Sequence, residues 1–364
     1  MKTKSIYLVM LLISIISWSC STTDLGQGSL KTSLNSSALA LNTAMNKISS
    51  TNGYQVLAIS SASSNTASYV KQSVAASYDS TYNSILLSYI AGIYDYKASD
   101  KRGPQSALRI FTKTGTSDLM VIRLPESKVK NPNALLRYSP SDTVLVNDYV
   151  ISLSKYQDYF KNAYTWNYEM ASNINIKNVD AGSLAIQSSS SIANGYKYAS
   201  EFVFTNGYKA SCTYASGDTA VATYAINDGS KVLYSEKYTA IRGSKTSKHQ
   251  EQKYSLTIGN VEIVRGMGKV GLDSAKVYVG GVLQTSAKIE IVDIDASTAD
   301  GTDNSVINHK RELKITFDDG TSSTISELLG TSVTTIRTLF ASLRQSSFAV
   351  SIVDWIAWDI YTNK

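Results

Sequence analysis

Two cysteines, two histidines and four prolines are all that this chain has of the residues that most often build disulfides, metal sites and rigid turns. Two cysteines, Cys20 and Cys212, cannot supply a disulfide framework. His249 and His309 stand in polar contexts, Ser-Lys-His-Gln-Glu and Asn-His-Lys-Arg-Glu, so a histidine-built metal site is not expected and no cofactor is implied. The chain has no G-x-S-x-G elbow, P-loop, H-E-x-x-H or G-x-G-x-x-G. No residue is therefore singled out as catalytic, and a serine triad would have to recruit one of the two polar-loop histidines. Charge is not gathered either: 35 basic residues against 29 acidic ones are spread along the sequence, without the basic face that a nucleic-acid partner requires.

Long hydrophobic runs are also missing. The longest, Ile6 to Ile16, is broken by Tyr7 and Ser14 and reaches about half of the roughly 20 residues that span a bilayer core. It follows Lys2 and Lys4 and ends in Ser17-Trp18-Ser19-Cys20, the three-part order of a secretory signal. At that end the segment resembles the lipobox of Gram-negative lipoprotein precursors. Ser19 fits the pattern, whereas Ser17 and Trp18 depart from the usual Leu and small residue. The resemblance covers residues 1–20 and implies a signal peptide over 1–19 and diacylation of Cys20. It further implies a membrane partner through the lipid and, with Ser21 rather than Asp after the cysteine, an outer-membrane address. Two or more acyl chains hold stably where one holds marginally. Residues 20–30, with Gly26 and Gly28, then read as a flexible tether. Loss of the two leading lysines lowers the formal charge of the remainder from +6 to +4, and Cys212 is left without an intramolecular partner.

What is abundant is tyrosine, with 24 residues in a chain that is 43% hydrophobic. Leu34, Ala38, Leu41, Met45 and Ile48 recur in steps of four and three and predict a helix. Val70, Val74, Tyr78, Tyr82 and Ile85 predict a second, and Lys155 to about Ala171 a third, with a capping box from Ser154 and Gln157 and an aromatic stripe. Tyr54 to Ile59 and Tyr89 to Lys97 read as strands, and Leu108 to Lys113 is expected to pair with Asp118 to Leu124 across Gly115. From Tyr196 to Tyr238 four runs are separated by Asn206-Gly207, Ser216-Gly217-Asp218 and Asn227-Asp228-Gly229, the turn chemistry of an antiparallel meander. Val261 to Val264, Ala275 to Val279, Val282 to Ile294 and Glu312 to Phe317 continue as strands, with a Gly280-Gly281 turn, and two helices close the chain around Ile336 to Leu343 and Phe348 to Ile360. The fold class expected is α+β, mainly an antiparallel sheet with helices packed on it. A domain over 31–242 is followed by a β-rich region over 254–364, the two being either separate or continuous.

Asp293 to Asn304 alternates acidic and polar residues as a calcium loop would. It has Thr298 where an EF-hand needs Gly and Asn304 where it needs Glu, so a solvated loop is the better reading and no metal ligand is assigned. The six tyrosines of the meander that share strand faces, Tyr196, Tyr198, Tyr208, Tyr214, Tyr234 and Tyr238, form the candidate binding surface. A flat ring with a polar tip suits sugars, amphipathic ligands and protein interfaces. Glu236 is the carboxylate that the alternation places among them. Together these features point to a lipid-anchored, non-enzymatic binding or structural protein of the envelope, with a glycan or protein as partner. A periplasm-facing carrier or chaperone for an apolar ligand and a polysaccharide hydrolase with two facing carboxylates are the alternatives.

Overall fold

The structure, a computed structural model, describes residues 29–62, 84–97, 106–130, 135, 144–162, 164–241, 251–267, 275–294, 310–344 and 348–363. Cys20 and its signal-like segment, Val70 to Tyr82 of the expected second helix, both histidines and the acidic loop beyond Ile294 lie outside these residues, while Ile85, expected to end that helix, sits instead in a short strand paired with residues 157–159.

Two helices open the described chain. Helix α1 (Leu30–Ser49) buries Leu34, Ala38, Leu41, Met45 and Ile48, the stripe that its sequence spacing requires, and Ser29 caps it by accepting from the Thr32 amide. Helix α2 (Asn52–Ala62) takes the place of the strand expected from Tyr54. A short apolar run has no period of its own, and the Thr51 hydroxyl accepting from the Tyr54 amide starts a helical turn. Gly53 lets α2 sit against the sheet, since a Cβ there would lie 2.4 Å from the Ala181 carbonyl oxygen and 2.7 Å from the Phe202 ring.

The next segment holds β1 (Ser84–Leu86), a helical turn α3 (Leu87–Ile90), β2 (Gly92–Tyr96), a turn α4 (Ala107–Ile110), β3 (Phe111–Gly115), β4 (Met120–Leu124) and a turn α5 (Glu126–Lys130). The expected β3–β4 hairpin does not form. β2 lies between the two, antiparallel to β3 and parallel to β4. Arg123 of β4 grips Asp95 of β2 with two hydrogen bonds of 2.5 and 2.7 Å, a tertiary contact that outweighs sequence proximity. Burial pushes the Asp95 carboxyl up, but these bonds leave it below its ordinary value.

Eleven strands then follow one another in space as in sequence, each antiparallel to the next: β5 (Tyr149–Asn162), β6 (Thr165–Ile176), β7 (Val179–Ser191), β8 (Gly195–Phe204), β9 (Tyr208–Ala215), β10 (Thr219–Asp228), β11 (Lys231–Ile241), β12 (Glu251–Ile258), β13 (Val261–Met267), β14 (Lys276–Val279) and β15 (Val282–Leu283). With β4, β2 and β3 beyond β5, and β1 on the far half of β5, they make one 15-stranded open sheet. The four-stranded meander from Tyr196 is present as expected, with Gly207 and Gly229 at positive φ in its turns. The helix expected over Lys155 to Ala171 is instead the β5–β6 hairpin. Its aromatic residues fit a period of two as well as 3.6, and the Asn162 side chain, accepting from the Tyr164 amide, turns the chain between them. The Val282 to Ile294 run is likewise broken: after β15 the chain leaves for a second sheet, β16 (Lys288–Ile294), β17 (Lys310–Thr316) and β18 (Ser322–Thr324).

Helices α6 (Ile325–Leu329), α7 (Ser332–Arg344) and α8 (Phe348–Thr362) end the chain. One row of cross-strand partners runs Met170, Ile186, Ser200, Cys212, Tyr224, Glu236, Leu256, Ile263 and Val277, and most of it is buried, which marks the covered face. The opposite face carries Lys197, Gln187, Asn173 and similar exposed residues, the alternation of a one-sided antiparallel sheet. On the covered face α1 crosses β11 to β13, α2 meets β7, and α7 meets β8, β9 and both N-terminal helices. The buried residues from Leu30 to Ala357 belong to one core. The two stretches distinguished in the sequence meet where β11 pairs with β12. Among the described residues no helix is long and apolar enough to cross a membrane.

Candidate ligand cleft

Where α7 leaves the sheet, a cleft of about 970 Å³ opens over β10 to β13. Its floor comes from side chains that alternate onto the covered face: Tyr224, Tyr234, Glu236, Tyr254, Leu256 and Arg265. One wall is the α7 stripe of Val333, Ile336, Arg337, Phe340, Ala341 and Arg344, spaced as one helix face. The facing wall comes from the second sheet and α6, with Ile291, Glu312, Leu313, Ile325, Ser326 and Leu329.

Aromatic packing joins floor to wall. The Phe340 ring lies 5.2 Å from that of Tyr224 and 6.0 Å, stacked, from that of Tyr234. Glu236 accepts from the hydroxyl of Tyr234 and is hydrogen-bonded to Tyr254. Burial first, and the neighbouring carboxylate second, push both phenols far above their ordinary value, so they stay protonated as donors. Tyr224 is hydrogen-bonded to Arg344 and to the Cys212 thiol. Burial raises that thiol to about 11, which makes Cys212 a small buried hydrophobe rather than a nucleophile.

The charged groups differ in how far they are engaged. One oxygen of Glu312 accepts from the Ser326 amide, while the other, Oε2, is buried with no hydrogen-bond partner. Arg337 and Arg344 are exposed at the mouth, and neither forms an ion pair among the described residues. No cluster of three potential metal ligands occurs among the described residues.

All six tyrosines singled out in the sequence lie on the covered face, at different places along it. Tyr198, Tyr214 and Tyr238 share one register row with Tyr168 and Tyr254, and Tyr198 and Tyr214 line a smaller depression of about 460 Å³. The Tyr196 ring lies between those of Trp166 and Tyr214, tilted 48° and 45° to them, with ring centroids 5.7 Å away on each side. Tyr208 is buried in the core, and Tyr234 lines the large cleft. Val232, which simple alternation along β11 would put beside Tyr234, faces away because the extra residue Leu233 bulges opposite Ile226 and Asn227. Arg265, Arg337, Arg344, Glu312 and Phe340 escaped the sequence reading. The i, i+3, i+7 spacing of Arg337, Phe340 and Arg344 was the available signal, but which strands that face would meet is not encoded locally.

Compared with protein-family models, with curated proteins and with solved structures, the chain matches none.

Proposed function

We propose that this is a lipid-anchored envelope protein that binds a ligand in the α7 cleft without transforming it. The cleft itself carries the reading: an open space of about 970 Å³ with an aromatic and aliphatic lining and a few polar groups has the size and composition of a ligand site. Glu236 is engaged with two tyrosines and Glu312 with a backbone amide, which favours recognition over acid–base work. The N-terminal pattern around Cys20 supports the anchor, and the start of α1 at Leu30 is consistent with a tether of about ten residues from the lipid to the fold.

An enclosed carrier for a long apolar chain has less support. Leu57 of α2 and Leu184, Phe202 and Phe204 of the strands beneath it are packed with almost no exposure, so that part of the sheet is core and not channel. The hydrolase reading has one observation in its favour, two carboxylates lining one cleft.

Native protein and Cys20→Ala, expressed in a Gram-negative host with radiolabelled palmitate and exposed to protease with and without permeabilisation, test the anchor. Labelling and membrane association should vanish in the variant, and digestion of intact cells would place the cleft outside the cell. Unchanged labelling in Cys20→Ala would refute the lipoprotein reading. A glycan-hydrolysing activity that is lost in Glu236→Gln would replace the binding reading with the enzymatic one.

A further inference from the structure

We infer that the α7 cleft is built for an anionic amphiphile, an inference that rests on the binding reading above. Two features of the cleft define that chemistry. Its interior is mainly branched aliphatic and aromatic, as at Leu256, Leu329 and Phe340, which suits an alkyl chain better than the flat face of a sugar alone. At the mouth, Arg337 and Arg344 project from one face of α7, seven residues or about 10 Å apart along the axis, on either side of Phe340.

Arginine offers a planar fork of donors matched to phosphate and carboxylate. Two exposed guanidinium groups without a carboxylate partner among the described residues are therefore positioned to hold an anion where it leaves the apolar interior. Both lining carboxylates are engaged within the protein, Glu236 by the Tyr234 and Tyr254 hydroxyls and Glu312 by the Ser326 amide, so neither neutralises the two arginines.

Three probes separate these elements by calorimetric titration of the full chain lacking residues 1–19, with Cys20→Ser to keep it soluble. Lauroyl lysophosphatidic acid carries chain, phosphate and hydroxyl; monolaurin carries the chain and hydroxyls; glycerol 3-phosphate carries the head alone. Lysophosphatidic acid should bind most tightly, and Arg337→Ala with Arg344→Ala should weaken it at least tenfold, about 1.4 kcal/mol, while leaving monolaurin unchanged. Both arginines are exposed, so circular dichroism should show the native fold in the double variant. Equal affinity for monolaurin, or no effect of the double variant, would overturn the anionic assignment and leave the cleft reading standing. Glycerol 3-phosphate binding as tightly as the lipid would overturn the amphiphile. Binding of none of the three, with a neutral oligosaccharide bound instead and displaced by Phe340→Ala, would overturn the inference in favour of a glycan. No binding of any of these probes would remove the cleft reading with it.

Discussion

Asp354 on α8 accepts hydrogen bonds from two tyrosines of neighbouring strands, 3.1 Å from the Tyr156 hydroxyl and 2.9 Å from that of Tyr168. Their rings meet edge to face at 5.8 Å. Removing the carboxylate takes this acceptor from both phenols and leaves Tyr168 only the weakly accepting Met170 sulfur, 3.6 Å away, and each unsatisfied buried polar group costs about 1–3 kcal/mol. Asp354→Ala should therefore lose roughly 2–4 kcal/mol in urea denaturation with an unchanged m-value. Burial, reinforced by Asp354, raises both phenols well above their ordinary value, and burial alone raises Tyr149; Tyr198 is pushed up to about 12, again chiefly by burial. For groups raised in the folded state, the stability they contribute is complete below the unfolded value of about 10 and is lost as pH rises above it. Stability should thus fall steeply above about pH 10, with the 295 nm tyrosinate signal of these residues rising together with loss of ellipticity. Tyrosinate appearing ahead of any unfolding would contradict the burial. Little of this was legible in the sequence: Tyr168 and Asp354 are 186 positions apart, and no local pattern links them.

At the scale of the element, regular periodicity transferred well and ambiguous periodicity did not. α1 and the strands from Gly195 to Ile241 follow their spacing and turn residues closely. The β5–β6 hairpin and α2 exchanged their expected types. Tyr156, Phe160 and Tyr164 satisfy both periods, and a short apolar run at Tyr54 satisfies neither decisively, so packing against the sheet chose. Gly53 is where that choice shows. Its position allows α2 to approach the β7–β8 backbone, and a methyl group there meets the Ala181 carbonyl and the Phe202 ring. Gly53→Ala should destabilise by about 1–3 kcal/mol through overpacking, measured by thermal unfolding. Gly217→Ala, in open space within a turn, is the control and should change little.

Among the described residues a long meander, β5 to β15, is extended by β1 to β4 and accompanied by a small second sheet, and its covered face is closed by the N-terminal and C-terminal helices. The antiparallel sheet and its terminal helices were readable from the sequence because hairpin turns and alternation are local. The cleft was not, because it lies between strands, a C-terminal helix and a second small sheet that only the tertiary fold brings together. Tyr234 and Glu236 were singled out for their shared aromatic face, and both line it; the arginines and Glu312 arrive from elements distant in sequence. Fluorine NMR of protein carrying 3-fluorotyrosine, with resonances assigned by Tyr→Phe variants, tests the cleft most directly. On titration with lauroyl lysophosphatidic acid, the Tyr224, Tyr234 and Tyr254 resonances should shift saturably while core residues Tyr94 and Tyr149 stay fixed. Saturable shifts confined to tyrosines elsewhere, with those three unmoved, would contradict a binding cleft beneath α7.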